Sequence, residues 1–320
     1  MEALVIGCGV SGLSTAICLQ EAGWRVKIWT AALPPDTTSS VAAAIWYPYK
    51  AYPEDRVLQW GGLTYAVFQT FARNSATGVQ MRENIEVSRT PLPDPWWRDV
   101  VPDLRRCVPE ELPPGYVDGL MFTTPVIEMP VYLRYLMDRF TLGGGTIDLR
   151  MVHTLSEATG IYPVVFNCTG LGSYSLVHDT QLVPIRGQIV RVENPGIERT
   201  WLDEDNPEGI TYIVPRTKDC ILGGTAVDGV WDMQPDPAVA AAIVRRCAAL
   251  EPRLADAPIL EHKVGLRPGR PAIRLEREDF PNGTCCIHNY GHGGAGVTLS
   301  WGCAAEAVQL IGSSQLSPGQ

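Results

Sequence analysis

Apolar and polar stretches at the start of the chain predict a βαβ unit. An apolar run at residues 3–6 precedes a glycine-rich turn, and apolar residues at helical spacing then continue to residue 22. A second apolar run at residues 26–29 predicts the next parallel strand. The turn reads G-x-G-x-x-G, which between a strand and a helix favours dinucleotide binding. A tight turn that binds nothing is the alternative.

The glycines of this turn have separate steric roles. We expect Gly7 to form the turn, Gly9 to let a pyrophosphate approach the main chain, and Gly12 to let helix and strand pack closely. The N–H groups of Val10 and Ser11 would then lie at the positive end of the helix and face the phosphates.

An acidic residue that commonly ends the second strand and binds the adenosine ribose is missing. Thr30 is followed by Ala31 and Ala32, and the nearest acid is Asp36. Either Thr30 or a main-chain group binds the ribose, or the predicted strand register is wrong. The missing acidic residue argues against a nicotinamide dehydrogenase.

The rest of the chain predicts a mixture of helices and strands. Prolines are frequent between residues 90 and 119, which indicates irregular loops. A strand ends in a glycine turn at residues 164–170, and a second strand, glycine turn and helix follow from residue 287 to residue 311. Further predictions are helices at 55–73, 131–140 and 237–249, the last capped by Asp236, strands at 185–192 and 209–214, and a hairpin over 212–223 that turns at 217–219.

Composition indicates a soluble α/β protein with room for two domains. The chain has 320 residues, of which 45% are hydrophobic, and its formal charge is -9. This acidic balance offers no surface for nucleic acid or for an anionic membrane, and no apolar run is long enough to span a bilayer. The first apolar run belongs to the βαβ unit rather than to a signal peptide, and residues 317–320 carry no peroxisomal tripeptide. We therefore expect a cytoplasmic protein.

The nine cysteines are predicted to be buried apolar residues. Their number is odd, no C-x-x-C occurs, and the adjacent Cys285 and Cys286 would point to opposite faces of a strand. We expect no metal site, while a disulfide stays open.

Several polar residues have two interpretations. The hydroxyl cluster Thr37, Thr38 and Ser39 precedes small residues, and the segment either caps a helix or lies flat against a planar ligand. Arg267 either forms a structural salt bridge or binds a ligand. His292, between glycines, is interpreted as a hydrogen-bonded loop histidine rather than a base.

Seven segments resemble the D-amino acid oxidase family, the flavoproteins that include D-aspartate oxidase, almost from end to end. The most specific are G-L-R-P-G-R-P-A-I-R-L-E and N-Y-G-H-G-G-A-G-V-T. The others are G-C-G-V-S-G-L-S-T-A, V-A-A-A-I-W-Y-P-Y, F-N-C-T-G, R-G-Q-I and T-Y-I-V-P.

The resemblance implies an α/β fold in which a Rossmann-like FAD-binding domain is interleaved with a substrate domain built on a mixed, mainly antiparallel sheet. FAD would be bound noncovalently. The FAD-binding domain would comprise residues 1–48, 130–176 and 264–320, and the substrate domain residues 49–129 and 177–263. Besides the first glycine turn, the cofactor would contact Thr37, Thr38, Ser39, Ala43, Ala44, Ile45, Val152, Thr169, Gly170, Arg267, Gly293, Gly294, Ala295, Gly296, Val297 and Thr298.

The resemblance also implies the reaction. Arg267 would bind the substrate α-carboxylate in a bidentate way, Tyr212 would add a hydroxyl, and the carbonyl of Gly294 would accept from the amino group, with Tyr47 near the pocket. Hydride would pass from Cα–H to flavin N5 with no acid or base required of the protein. Oxygen would reoxidise the flavin and yield hydrogen peroxide, and the imino acid would hydrolyse to a 2-oxo acid and ammonia.

The chain departs from the family pattern in three places. Tyr47 replaces a common Gln, Ala31 and Ala32 replace an Asp-Arg pair, and the segment before Tyr212 is short, which predicts a more open entrance. The acidic run at residues 203–205 lies where aspartate-specific members carry a basic residue.

These departures set the expected substrate preference. We expect neutral, mainly apolar D-amino acids to be preferred over D-aspartate. Arg216 could bind a second carboxylate, but Pro215 and the following turn should carry it into solvent. The alternatives are a D-aspartate oxidase, a non-catalytic nucleotide-binding protein and, third, a nicotinamide dehydrogenase. A homodimer stays open.

Overall fold

The computed structural model describes residues 1–312, so residues 313–320, with the C-terminal tail and the end of the predicted FAD-binding domain, lie outside the described residues. The described strands are β1 (Glu2–Ile6), β2 (Arg25–Thr30), β3 (Val79–Ser88), β4 (Arg105–Arg106), β5 (Asp118–Ile127), β6 (Thr146–Leu149), β7 (Val164–Asn167), β8 (Val183–Glu193), β9 (Thr200–Asp203), β10 (Thr211–Pro215), β11 (Asp219–Gly223), β12 (Val227–Asp228), β13 (Ile259–Gly269), β14 (Arg274–Asp279) and β15 (Cys285–Tyr290). The described α-helices are α1 (Val10–Glu21), α2 (Thr38–Val41), α3 (Glu54–Phe71), α4 (Met129–Leu142), α5 (Leu155–Thr159), α6 (Ser173–Leu176), α7 (Pro237–Leu250) and α8 (Ser300–Gln309).

The first sheet has six strands in the order β14-β15-β7-β1-β2-β6. All neighbours are parallel except β14 and β15, and the predicted βαβ unit is confirmed as β1, α1 and β2. Side chains of β1 alternate between two buried clusters, with Ala3 and Val5 on one face and Leu4 and Ile6 on the other. Burial of both faces explains why this strand is a continuous apolar run rather than an alternating one.

The second sheet has nine strands and is mostly antiparallel. Its order is β12-β8-β11-β10-β9-β3-β5-β4, with β13 also paired to β8, and the β3–β9 pair is parallel. Helix α7 covers one face, where Ile243 and Cys247 pack against Ile213 and Leu222. Asp236 caps this helix as predicted, because its carboxylate accepts from the Ala238 N–H at 2.7 Å.

Two elements bear on the predicted domain boundaries. Strand β13 crosses residue 264, and it pairs with β8 of the second sheet along its length. Helix α3, predicted for the substrate domain, contacts α8, where the Trp60 indole donates to Glu306 at 2.6 Å. The boundaries themselves stay a prediction.

The cysteines are free thiols, and none of the nine, all within residues 1–312, forms a disulfide. Cys285 and Cys286 lie in different buried clusters on opposite faces of β15, as predicted. No helix among the described residues has both the length and the apolar character needed to cross a membrane.

Candidate functional site

A cavity of about 580 Å³ lies where the two sheets meet. The first sheet contributes residues at or just after the carboxyl ends of β1, β2, β6 and β7, and the second contributes residues of β8, β10 and β13. The glycine turn after β15 forms a further wall. Ligands of open parallel sheets bind at this carboxyl edge, so the position agrees with the sequence-based expectation.

The first glycine turn is shaped for close approach of a ligand. Gly7 has φ +111°, and a Cβ there would lie 2.5 Å from the carbonyl oxygen of Cys168, so only glycine fits. Gly9 precedes the first turn of α1 and has no side chain to cap the helix. The Val10 N–H donates to Ser39 Oγ at 3.0 Å, which ties the hydroxyl segment to this turn. The helix N-terminus therefore lies at the cavity wall, where an anion is stabilised.

The edge of the cavity beyond β2 has no carboxylate in the place where many dinucleotide sites have one. The predicted position of the second strand is right, because β2 ends at Thr30. The Thr30 hydroxyl donates to the Ala32 carbonyl at 2.7 Å. Arg150 lies here, with its guanidinium 3.9 Å from the centre of the Trp29 ring. Sequence reasoning missed Arg150 because it did not predict β6, the short strand before it.

Arg267 on β13 and Tyr212 on β10 line the cavity together, although β8 and β11 separate their strands in the second sheet. Arg267 extends over Gly187, and its Nη1 donates to the Thr225 carbonyl at 3.1 Å, while the Tyr212 ring lies over Gly223. Burial raises the pKa of the Tyr212 hydroxyl, and the adjacent guanidinium opposes that rise. Since both residues line the cavity, a planar cation and a phenol face the same space.

The second glycine turn packs against the segment that contains Tyr47. A Cβ at Gly293 would overlap the Lys50 carbonyl, and a Cβ at Gly294 would overlap the Tyr49 ring. The Thr298 hydroxyl accepts from the Tyr47 N–H at 3.1 Å and donates to the Tyr47 carbonyl at 3.0 Å. These contacts hold Tyr47 and Tyr49 at the cavity wall.

Tyr47 connects the cavity to two carboxyl groups that sequence reasoning did not place there. Its hydroxyl lies 3.4 Å from Glu86 Oε1 and 3.3 Å from Glu204 Oε2. Burial and the nearby charge of Glu204 raise the pKa of Glu86 to about 7, and burial also raises the pKa of Glu204. The acidic run at residues 203–205 was visible in the sequence, but its distance from Tyr47 along the chain concealed the contact.

The hydrogen bond predicted for His292 is present, and its lack of a role as a base stays a prediction. Its Nε2–H donates to Asn289 Oδ1 at 3.0 Å, and complete burial lowers the pKa of the imidazole to about 4. The ring is therefore neutral near pH 7, and it lines the cavity.

The expectation that Arg216 reaches solvent is wrong. Its guanidinium is buried and binds Asp219 across the hairpin turn, with Nε 2.6 Å from Oδ1. The paired carboxylate compensates the buried charge, which is why the side chain folds inward. Arg216 is not among the cavity-lining residues that the structure describes.

The other predicted site residues can be compared with the cavity wall directly. Gly12 and Ala295 do not line it: Gly12 packs behind the turn against the Gly7 carbonyl, and Ala295 is fully buried in the core. The roles of all these residues toward a ligand stay predictions. Those that do line the cavity are Gly7, Gly9, Val10, Ser11, Thr37, Thr38, Ser39, Ala43, Ala44, Ile45, Tyr47, Val152, Thr169, Gly170, Tyr212, Arg267, Gly293, Gly294, Gly296, Val297 and Thr298.

The residues present fit an FAD molecule. A positive-φ glycine and a helix N-terminus whose N-cap residue, Gly9, has no side chain suit the pyrophosphate, and the cavity continues from there to Arg267 between the two sheets. The wall near residues 293–298 is formed by close-packed small residues, which suits a planar ring.

Comparisons with known proteins agree with this site. The family described as FAD dependent oxidoreductase (DAO) matches residues 2–310. The chain is 57% identical over 314 residues to a D-amino-acid oxidase of Rubrobacter xylanophilus, covering 98% of this chain and 96% of that protein. It is 46% identical over 315 residues to a D-amino-acid oxidase of Streptomyces coelicolor, covering 97% and 96%.

The fold also matches a solved structure. Glycine oxidase from Geobacillus kaustophilus superimposes with a TM-score of 0.79 at 19% identity, over 97% of this chain and 94% of that one. The family model and the two curated relatives together define an FAD-dependent oxidoreductase. The chain belongs to the D-amino-acid oxidase family of FAD-dependent oxidoreductases.

Proposed function

We propose that the protein oxidises D-amino acids with neutral side chains, mainly apolar ones, to 2-oxo acids, with release of ammonia and hydrogen peroxide. The observation that supports this most strongly is the pairing of Arg267 and Tyr212 in the cavity that begins at the first glycine turn. A substrate carboxylate needs a charged, multidentate donor, and guanidinium is the best match. The relatives in R. xylanophilus and S. coelicolor are named D-amino-acid oxidase, which supports oxidation of D-amino acids.

The residues of the chain bind and orient the substrate. Arg267 binds the α-carboxylate through the N–H groups that Thr225 leaves free, Tyr212 donates a further hydrogen bond, and the carbonyl of Gly294 accepts from the amino group. FAD, when bound, supplies the two-electron acceptor that molecular oxygen regenerates. Overall, amino acid, oxygen and water become 2-oxo acid, ammonia and hydrogen peroxide.

The proposed oxidation of a D-amino acid needs no acid or base from the protein. Burial raises the pKa values of Tyr212 and Tyr49, so both phenols stay protonated near pH 7. The His292 imidazole is neutral near pH 7, and its Nε2–H already donates to Asn289 Oδ1. Orientation of the Cα–H bond is therefore the main contribution of the protein.

Acidic substrates are disfavoured by the same cavity. Glu204 lines it, and Arg216, the one cation that sequence reasoning offered as a partner for a second carboxylate, is bound to Asp219. A side-chain carboxylate would be buried near a like charge, which costs several kcal/mol. The D-aspartate oxidase alternative requires a cation that these residues do not provide.

The test is a peroxide assay of the purified yellow protein across a panel of D-amino acids. The kcat/KM values for D-valine and D-alanine should exceed the value for D-aspartate, and L-enantiomers and glycine serve as controls. A D-valine to D-aspartate ratio below one would favour the aspartate oxidase. A colourless protein that gains no activity with added FAD would support the non-catalytic alternative. A cytoplasmic location and a homodimer also stay predictions.

A further inference from the structure

We propose that the β2–β6 wall of the cavity, which residues 30–32 and 150–153 form, binds adenine nucleotides that carry a 2′-phosphate, with Arg150 as the phosphate-binding residue. Such a nucleotide would compete with FAD for the dinucleotide site. The proposal goes beyond the oxidation of D-amino acids, because it names a further class of ligand for the cofactor site. It does not depend on which amino acid the protein oxidises.

The charge at the end of β2 decides which kind of adenosine fits there. A carboxylate in this place accepts from the ribose 2′-hydroxyl and repels a 2′-phosphate, whereas a nearby arginine accommodates the phosphate. In this chain Thr30 ends β2, and Ala31 and Ala32 follow it. Among the lining residues that the structure describes, the one carboxylate is Glu204, which follows β9 of the second sheet. The β2–β6 wall therefore carries no carboxylate.

Arg150 lies directly beside the place where the carboxylate is missing. Its main-chain N–H donates to the Thr30 carbonyl at 2.8 Å, so the residue after β6 is next to the last residue of β2. The Thr30 hydroxyl already donates to the Ala32 carbonyl, so it has no proton for a phosphate. The small side chains of Ala31 and Ala32 leave space at this wall. Arg150 is thus the permanently charged donor that the wall offers to an anion.

The Arg150 guanidinium is held by an aromatic ring and has only a weak carboxylate partner. It stacks 3.9 Å from the centre of the Trp29 ring, an arrangement that leaves the N–H groups at its edges available. Its Nη2 lies 3.8 Å from Glu157 Oε2, too far for a hydrogen bond. Glu157 Oε1 instead accepts from the main-chain N–H groups of His153 and Thr154, and these two bonds are the main reason that the pKa of Glu157 is lowered. A planar guanidinium in this state can bind two phosphate oxygens.

The experiment measures how well three nucleotides displace FAD from the FAD-loaded protein at physiological ionic strength. AMP, adenosine 2′,5′-bisphosphate and adenosine 3′,5′-bisphosphate share the 5′-phosphate, and FAD released into an ultrafiltrate is the readout. The 2′,5′-bisphosphate should compete about tenfold more tightly than AMP, the usual size for a charge-assisted contact. The 3′,5′-bisphosphate has the same charge in another position, and it should gain less than about threefold.

Variants of two arginines separate a local contact from a general charge effect. Arg150→Glu introduces a carboxylate at this wall and should make the 2′,5′-bisphosphate a weaker competitor than AMP. Arg150→Gln should remove most of its advantage over AMP. Arg25→Gln is the matched control, because the Arg25 side chain is exposed at the other end of β2 and does not line the cavity. It should change the ratio by less than about twofold. Each ratio is taken within one variant, so a change in FAD affinity cancels.

The outcomes are distinct. A 2′,5′-bisphosphate that competed no better than AMP for the natural protein would overturn the proposal, and so would an advantage that Arg150→Glu leaves unchanged. Equal gains by both bisphosphates, or no displacement by any of the three nucleotides, would overturn it as well. If Arg150→Glu did not fold, the natural protein and Arg150→Gln would still decide. Absence of turnover with every D-amino acid in the peroxide assay would instead contradict the proposed function, whatever the nucleotides do.

Discussion

The contacts of Arg267 explain why this residue can bind a ligand rather than a protein carboxylate. Its guanidinium donates to a main-chain carbonyl, that of Thr225, and a neutral acceptor leaves the positive charge available. The glycine at position 187 provides the space in which the side chain lies. Arg267 forms no ion pair within residues 1–312. The simpler interpretation of this residue, a structural salt bridge, is therefore not supported.

Arg267→Ala is expected to remove most of the activity with D-alanine and D-valine. Loss of two charge-assisted hydrogen bonds corresponds to about 3 kcal/mol, or roughly two orders of magnitude in kcat/KM. Arg267→Lys should restore part of this, because an ammonium cannot bind both carboxylate oxygens in the same way. Flavin absorbance is the control for cofactor loading. Near-normal rates in a loaded Arg267→Ala variant would refute the assignment.

Single site residues could be predicted from the sequence where they lie inside a motif. Residues whose contacts come from distant parts of the chain were missed. Arg267 and Tyr212 lie in specific segments, so they could be named. Glu204 meets Tyr47 across more than a hundred positions, and the inward folding of Arg216 depends on Asp219 in the folded hairpin. Such contacts depend on tertiary structure, which hydropathy patterns do not contain.

Secondary-structure elements were predicted best where they are long and periodic. Helices α3 and α7 lie within a few residues of their predicted bounds, since an apolar face repeats along each. Strand β6 was missed because its four residues are too short to show a pattern. The pairing of β13 with β8 was also not predicted, because strand partners are set by long-range packing rather than by local sequence.

The turn between β1 and α1 provides a test at the scale of one element. Gly7→Ala would place a Cβ 2.5 Å from the Cys168 carbonyl oxygen at φ +111°, so the turn must shift. We expect the free energy of unfolding to fall by roughly 2 kcal/mol or more and FAD to bind more weakly. Urea unfolding of the FAD-free protein and fluorimetric titration with FAD measure the two effects.

Gly62→Ala is the matched control for this substitution. Gly62 lies inside α3, and a Cβ there would be 3.7 Å from Val100, an ordinary contact. Alanine should therefore raise the free energy of unfolding by about 0.5–1 kcal/mol through its higher helix propensity. If both variants changed stability equally, the steric explanation for Gly7 would be wrong.

For the whole molecule, the important feature is that one cavity joins both sheets. The first glycine turn belongs to the parallel sheet, whereas Arg267 and Tyr212 belong to the mixed sheet. Helices α3 and α8 also pack together across the predicted domain boundary. A ligand that fills the cavity therefore contacts both parts of the molecule at once.

We expect FAD to stabilise both sheets together. A ligand at a hundred times its dissociation constant adds about 2.7 kcal/mol to the free energy of unfolding, because it binds only the folded chain. Hydrogen exchange with and without FAD should therefore slow in β1 and β7 of the first sheet and in β8 and β13 of the second. ADP, which carries only the adenosine and pyrophosphate part, is the control and should slow exchange mainly in the first sheet and α1. Protection by FAD that stayed confined to the first sheet would show that the cofactor does not reach Arg267, and the proposed arrangement of cofactor and substrate would then fail.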